Sequence, residues 1–232
     1  MLLFNILFSL CLASFSGVVA LRLPLGQTFL NSRSCCDYCG HQLAWYHLIP
    51  LISYLCLRGH CAYCGHQIHP DIFIIEIIGL IVALEASFQS TYNSYALILL
   101  LITVAMNAIT DIFFLSIWPI TLVPSIVATL ILQFPNSNFW LHWIALAVIF
   151  SIFYFLCKNK FGFGDIEIIL LIALLLGIKL TLEIILLTTL IIIIYLIGQP
   201  QKLNSNLPIA FIPFLLIAFL LRMAFYCWGF CQ

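Results

Sequence analysis

Eight apolar runs leave this chain few ways to fold. They occupy residues 2–20, 72–88, 95–111, 117–133, 139–157, 165–178, 181–198 and 208–228. A helix needs about 20 such residues to cross the hydrocarbon layer, and fewer where the bilayer thins. In lipid every backbone N–H and C=O must be bonded within the protein, so runs of this length fold as helices. Charged residues make up only 7% of the chain and hydrophobic ones 65%, whereas a soluble domain carries about 25% charged residues. The expected fold class is an all-α polytopic membrane protein with about eight transmembrane helices. The bilayer is its solvent, and the eight Lys and Arg form no patch for nucleic acid.

The run at 165–178 is the shortest. Fused with 181–198 it would make a helix of about 50 Å at 1.5 Å per residue, too long for one crossing, so Gly177-Ile178-Lys179 marks the expected break. Ile191–Ile194 reads as lipid-facing sequence, and no internal repeat is evident. Met1 to Ala20 has the apolar stretch of a secretory signal but no basic residue before it, the first cation being Arg22. A retained first span is expected. Orientation follows from the cations, which gather on the cytosolic side. With the N-terminus outside, Arg22, Arg33, Arg58, Lys158, Lys160 and Lys202 are cytosolic, Lys179 is external and Arg222 lies within the last run. The expected external loops, Gln89–Ser94 and Pro135–Asn138, carry no charge.

The largest polar segment, residues 21–71, separates the first run (1–20) from the other seven (72–232). It holds Cys36-Asp37-Tyr38-Cys39 and Cys61-Ala62-Tyr63-Cys64, each followed by Gly-His. Two C-x-x-C knuckles, 21 residues apart, have the spacing of a four-thiolate zinc ribbon. Cys36, Cys39, Cys61 and Cys64 are therefore the expected ligands of a structural zinc. Cys35 could replace Cys36, and His41 or His66 could replace a thiolate. A cytosolic loop is reducing, which argues against disulfides. Cys11, Cys56, Cys157, Cys227 and Cys231 read as small apolar residues. Leu43–Leu57, between the knuckles, is too short to cross. It is expected to press the zinc module onto the bilayer surface.

Two acids stand at the cytosolic ends of apolar runs. Asp111 closes the run at 95–111, and Asp165 opens the next but two, in Phe161-Gly162-Phe163-Gly164-Asp165. An acid at the edge of a membrane span is costly and marks a functional site. Paired carboxylates hydrolyse peptides when one is ionised and activates water while the other is protonated and polarises the carbonyl. Two like charges cannot both ionise at close range, so such a pair shares a proton and titrates as a unit. Gly162 and Gly164 leave bare backbone that an extended substrate strand could approach. Taken singly, Asp165 reads equally as a helix N-cap and Asp111 as a helix end. As a pair they could also serve an ion- or proton-coupled transporter, although transport favours acids nearer the midplane.

With these motifs placed, the chain resembles the type IV prepilin peptidases over nearly its whole length. The likeness rests on Ala13-Ser14-Phe15, Arg22-Leu23-Pro24, Arg33 to His41, Ile49-Pro50-Leu51-Ile52-Ser53-Tyr54, Arg58-Gly59-His60-Cys61, Glu76, Asp111 and Gly162-Phe163-Gly164-Asp165. The resemblance implies an intramembrane aspartic endopeptidase of the bacterial cytoplasmic membrane, with Asp111 and Asp165 as its catalytic acids. It would remove the short basic leader of pilin, pseudopilin or competence precursors at the cytosolic border. Many members also methylate the new N-terminus with S-adenosylmethionine, and no glycine-rich nucleotide loop is visible in this sequence. Two positions depart from the family. Glu167 stands where Lys is usual, and Ile117-Trp118-Pro119 replaces Ile-Pro-Asn. Cleavage is expected to survive both.

Overall fold

A computed structural model describes residues 1–27, 33–132, 137–156, 162–199 and 208–229, without the side chains of 137–138 and 226–229. Lys158, Lys160, Lys202, Phe161, Cys157, Cys231 and the loop residues Pro135 and Asn136 lie outside the described residues. Every apolar run falls on a helix. The helices are α1 (Leu2–Arg22), α2 (Ile52–Cys56), α3 (Pro70–Phe88), α4 (Ser94–Phe114), α5 (Val123–Leu132), α6 (Ser137–Leu156), α7 (Phe163–Leu176), α8 (Ile178–Gly198) and α9 (Ile212–Gly229). Short 3₁₀ turns at Trp45–Leu48 and Pro119–Thr121 precede α2 and α5. Leu2–Arg22, Ser94–Phe114, Phe139–Leu156 and Ile178–Gly198 are long and apolar enough to cross a membrane, while Pro119–Leu132 and Ile212–Phe225 are shorter apolar helices.

Local chemistry sets the boundaries. α3 opens with Pro70 in its first turn followed by Asp71, a residue pair suited to the N-terminal end of the helix dipole. Asn93 caps α4 by accepting from the amides of Tyr95 and Ala96, which satisfies two donors that the helix itself cannot. α7 and α8 separate at Gly177, at φ 81°, a conformation glycine adopts freely. This is the break the sequence indicates.

α4 forms the centre. From Ala96 to Asp111 all its residues but Leu99 are buried, as expected of a helix apolar on every face. It packs against α1, α3, α5, α7 and α9. α1 and α3 meet across small residues. A Cβ at Gly79 would lie 2.6 Å from the Ala13 Cβ, and Ser9 Oγ donates to the Gly79 carbonyl at 2.6 Å. Such contacts replace the hydrophobic effect, which lipid removes, as the source of helix association. Ile193, Ile194 and Ile197 of α8 are exposed, in keeping with lipid contact. Arg222 of α9 pairs with Glu183 of α8, its Nε and Nη2 at 2.7 and 2.5 Å from Oε2. That answers the charge the sequence leaves inside the last run.

The Gly79 contact has no slack. Gly79→Val should lower the thermal unfolding midpoint in detergent, by the roughly 1–3 kcal/mol typical of overpacking. Gly198→Ala, at a site with nothing within 4 Å of the added Cβ, should leave it unchanged. Circular dichroism on the two variants is the check.

Candidate functional site

The four knuckle thiols converge. One sulfur from each of Cys36, Cys39, Cys61 and Cys64 lies within 4.8 Å of every other, and Cys36 and Cys64 stand 3.9 Å apart. Zn–S bonds of about 2.3 Å give a tetrahedron with edges of about 3.8 Å, so the cluster could close on one ion with small shifts. Each knuckle turns through a glycine, Gly40 at φ 69° and Gly65 at φ 68°. The amides of Cys36 and Cys61 close the turns onto the carbonyls of His41 and His66. Among the described residues, neither Cys35 nor the two histidines, the alternative ligands, joins this cluster. Cys35 bridges Gln42 through its backbone.

The histidines stack instead, and they do so crosswise. Tyr38 lies on His66 with ring centroids 4.0 Å apart, and His41 on Tyr63 at 3.7 Å. Each knuckle lends its tyrosine to the other's histidine. The sequence carries this arrangement as an internal repeat, C-x-Y-C-G-H-Q at 36–42 and again at 61–67, which corrects the expectation that no repeat exists. Comparing the two knuckles residue by residue would have found it.

The module is tied to the bundle at three points. Arg22 Nη2 reaches Asp37 Oδ1 at 3.2 Å, Tyr54 stacks on Phe73 of α3 at 4.5 Å, and the Leu51 amide donates to Glu76 Oε2 at 2.7 Å. Leu51 takes φ 62°, rare for a residue with a side chain, and stands at the N-cap position of α2. Glu76 is buried, and nothing in the sequence around it names this partner. Between the knuckles, Trp45, Tyr46, Leu48, Ile52 and Leu55 are exposed, an apolar face suited to a membrane interface. Cys11 and Cys56 are exposed as well.

Asp111 and Asp165 come together from separate helices. Asp111 lies in the last turn of α4, which runs on to Phe114 instead of ending at the acid. It is buried, and its Oδ2 accepts the Ile212 amide at the start of α9 at 3.0 Å. Asp165 lies in the first turn of α7 and is half-buried, within electrostatic reach of the Asp111 carboxyl. The N-cap is Gly162, which has no side chain to cap with. Asp165, three residues on, accepts the Gly162 amide with its carboxylate, so the acid caps the first turn from inside the helix rather than from the N-cap position. The two glycines differ in surroundings. Gly162 is exposed, and a Cβ there would stand 3.0 Å from Asp165 Oδ2. At Gly164 a Cβ would stand 2.6 Å from the Ile117 Cβ. The room expected for substrate at Gly164 is filled by the α4–α5 connection.

The family model of the bacterial peptidase A24 N-terminal domain matches residues 7–89. That stretch takes in most of α1, the cysteine module and α3, and ends before both aspartates. The chain is 36% identical over 137 residues to the prepilin leader peptidase/N-methyltransferase of Myxococcus xanthus, covering 57% of this chain and 40% of that protein. It is 37% identical over 99 residues to the protein of the same name from Vibrio cholerae, covering 39% of each. The matched stretches span about two fifths of either relative. No solved structure matches.

Backbone amides of Cys64 and Tyr63, foremost, draw the Cys61 thiol down to about 7. Cys64 stands up at about 11: the His66 amide pulls it down, but desolvation and the other three thiols outweigh it. Metal entry must therefore displace protons, and affinity should fall as pH falls through about 7. Competition against a chromophoric chelator between about pH 8 and pH 5 would show a steep loss. A flat profile would exclude the thiolates as ligands.

Proposed function

We propose, from the premise that this chain is a relative of the type IV prepilin peptidases, that it is an intramembrane aspartic endopeptidase. It cleaves the leader of type IV prepilin-like precursors, whether pilins, pseudopilins or competence proteins. The observation that carries the reading is that Asp165, in the first turn of α7, lies within electrostatic reach of Asp111, in the last turn of α4. In a poorly solvated site the two carboxyls share one proton. The ionised member takes a proton from water, and the protonated member donates to the scissile carbonyl oxygen as the tetrahedral centre forms. The roles then reverse as the amine leaves. Gly162, exposed beside the Asp165 carboxylate, offers bare backbone to an extended substrate. Gly164 serves it indirectly by admitting Ile117.

The same reading divides the chain into a first span (1–20), a cytosolic four-cysteine domain (21–71) and a seven-span catalytic domain (72–232). It sets the N-terminus outside a bacterial cytoplasmic membrane, with both acids at the cytosolic border where water is available. The four thiolates hold a structural zinc, since a closed tetrahedron leaves no position for substrate. Methylation of the new N-terminus, for which S-adenosylmethionine supplies the methyl group, is supported by the shared name of the two relatives. No step is assigned to it.

Asp111→Asn and Asp165→Asn should each cut prepilin processing by at least about a thousandfold while the protein stays folded and inserted. A gel-shift assay on a co-expressed prepilin reads this, and near-normal processing by either variant removes that residue from the pair. Cys61→Ser should lower zinc content and protein abundance yet leave residual cleavage. Labelling of residues 21–71 by an impermeant thiol reagent from outside the cell would overturn the orientation.

A further inference from the structure

Asp111 belongs to a stripe. Thr103, Asn107 and Asp111 recur every four residues and so share one face of α4. Ile117, Thr121, Ser125 and Thr129 repeat the spacing across the connection and along α5. The two stripes are joined by buried hydrogen bonds. Asn107 Nδ2 donates to the Thr103 carbonyl at 2.9 Å and to Thr121 Oγ1 at 3.0 Å. Thr121 Oγ1 in turn donates to the Trp118 carbonyl at 2.7 Å. One turn away, the Thr103 and Ser125 hydroxyls meet at 2.5 Å, and Ser125 donates on to the Leu99 carbonyl at 2.9 Å. Asn107 and Ser125 are fully buried.

Buried amides and hydroxyls in a membrane bundle hold a geometry because no water can replace a lost partner. Here the geometry held is that of the connection after Asp111. Thr121 fixes the Trp118 carbonyl, the next residue back is Ile117, and Ile117 lies against the bare face of Gly164, one residue before Asp165. A continuous path of contacts thus runs from the helix that carries one acid to the helix that carries the other. Thr129, whose hydroxyl donates to the Ser125 carbonyl of its own helix, is not on that path.

We propose that the Asn107–Thr121 clamp is the positioning element of the aspartate pair. It sets the α4–α5 connection and, through Ile117 against Gly164, the approach of Asp165 to Asp111. Neither clamp residue touches the reacting atoms. The catalytic part of this proposal rests on the peptidase reading; the geometric part does not.

Two measurements separate them. Thr121→Val keeps shape and removes the hydroxyl, so kcat for prepilin cleavage should fall roughly 10- to 100-fold, the penalty for misplacement by about an ångström. KM should stay within about twofold, because no binding group is lost. Thr121→Ser should restore most of kcat, and Thr129→Val should match the unmodified protein. The second measurement needs no activity. Spin-labelled non-natural residues at the exposed positions Ile112 and Phe163, beside the two acids, report their separation by pulsed electron resonance. The distance distribution should be narrow in the unmodified background, broadened or shifted by Thr121→Val and restored by Thr121→Ser. Should Thr121→Val fail to fold, Gly164→Ala enters the same contact from α7 and should broaden the distribution likewise. An unchanged distribution, or a kcat loss that Thr121→Ser shares, overturns the clamp. A changed distribution with unchanged kcat upholds the geometric clamp and overturns its catalytic part, whereas a changed distribution in a protein that cleaves no prepilin even unmodified upholds the clamp and overturns the peptidase reading.

Discussion

Polar groups enclosed in lipid have no water to turn to, and the architecture follows from where α4 finds partners for its own. A helix apolar on every face would rotate freely among its neighbours. Thr103, Asn107 and Asp111 prevent that, because each requires a partner at a fixed angle around the helix. Ser125 of α5 and Thr121 of the turn before it supply the first two, and the Ile212 amide supplies the third from α9. Rotating α4 by one residue would break all three sets at once. In lipid each broken group would cost several kcal/mol.

The acids outside the site obey the same rule with different solutions. Glu183 is answered by Arg222 and Glu76 by the Leu51 amide. Glu85 and Glu167 each keep one oxygen, Oε2, buried without a hydrogen-bond partner among the described residues. Glu167 stands on α7 near Asp165. It lies two residues beyond that acid, a spacing at which helical side chains point apart, so it need not disturb the acid pair.

Much of this was legible in the sequence, and the limits are physical. Run length located most of the apolar helices to within a few residues, because an apolar run long enough for the bilayer must be helical. The run at 117–133 is the exception, since a 3₁₀ turn at Pro119–Thr121 takes its start and α5 begins only at Val123. The thiol cluster could be read because C-x-x-C places both sulfurs of a knuckle on one ion by local geometry alone. What escaped was every contact between distant segments. Nothing near Glu76 names Leu51, and nothing near Gly164 names Ile117. The glycine could be read as bare backbone, but its neighbour could be substrate or protein, and the sequence reading chose substrate. The crosswise Tyr–His stacks are intermediate. Their residues were visible as a repeated C-x-Y-C-G-H-Q, but the exchange between knuckles belongs to the fold.

The attachments of the cysteine module decide how far a disturbance there can travel. Its three ties end on Arg22 of α1 and on Phe73 and Glu76 of α3. The Arg22–Asp37 pair is largely solvated on the Asp37 side and contributes at most about 1 kcal/mol. The Leu51–Glu76 bond is buried at the acid, where a lost partner would leave the amide and carboxyl unsatisfied at a cost of about 1–3 kcal/mol. Loss of metal would loosen Leu51, whose positive φ needs surrounding structure to hold it, and so release Glu76 inside the α1–α3 pair. That pair is itself locked by Gly79 against Ala13, and the two aspartates sit on α4 and α7. A disturbance in the module therefore meets a rigid two-helix layer before it reaches the acids. A metal held by the four thiols would on this arrangement bear on assembly and abundance first, and on Asp111 only through α4's packing against that layer.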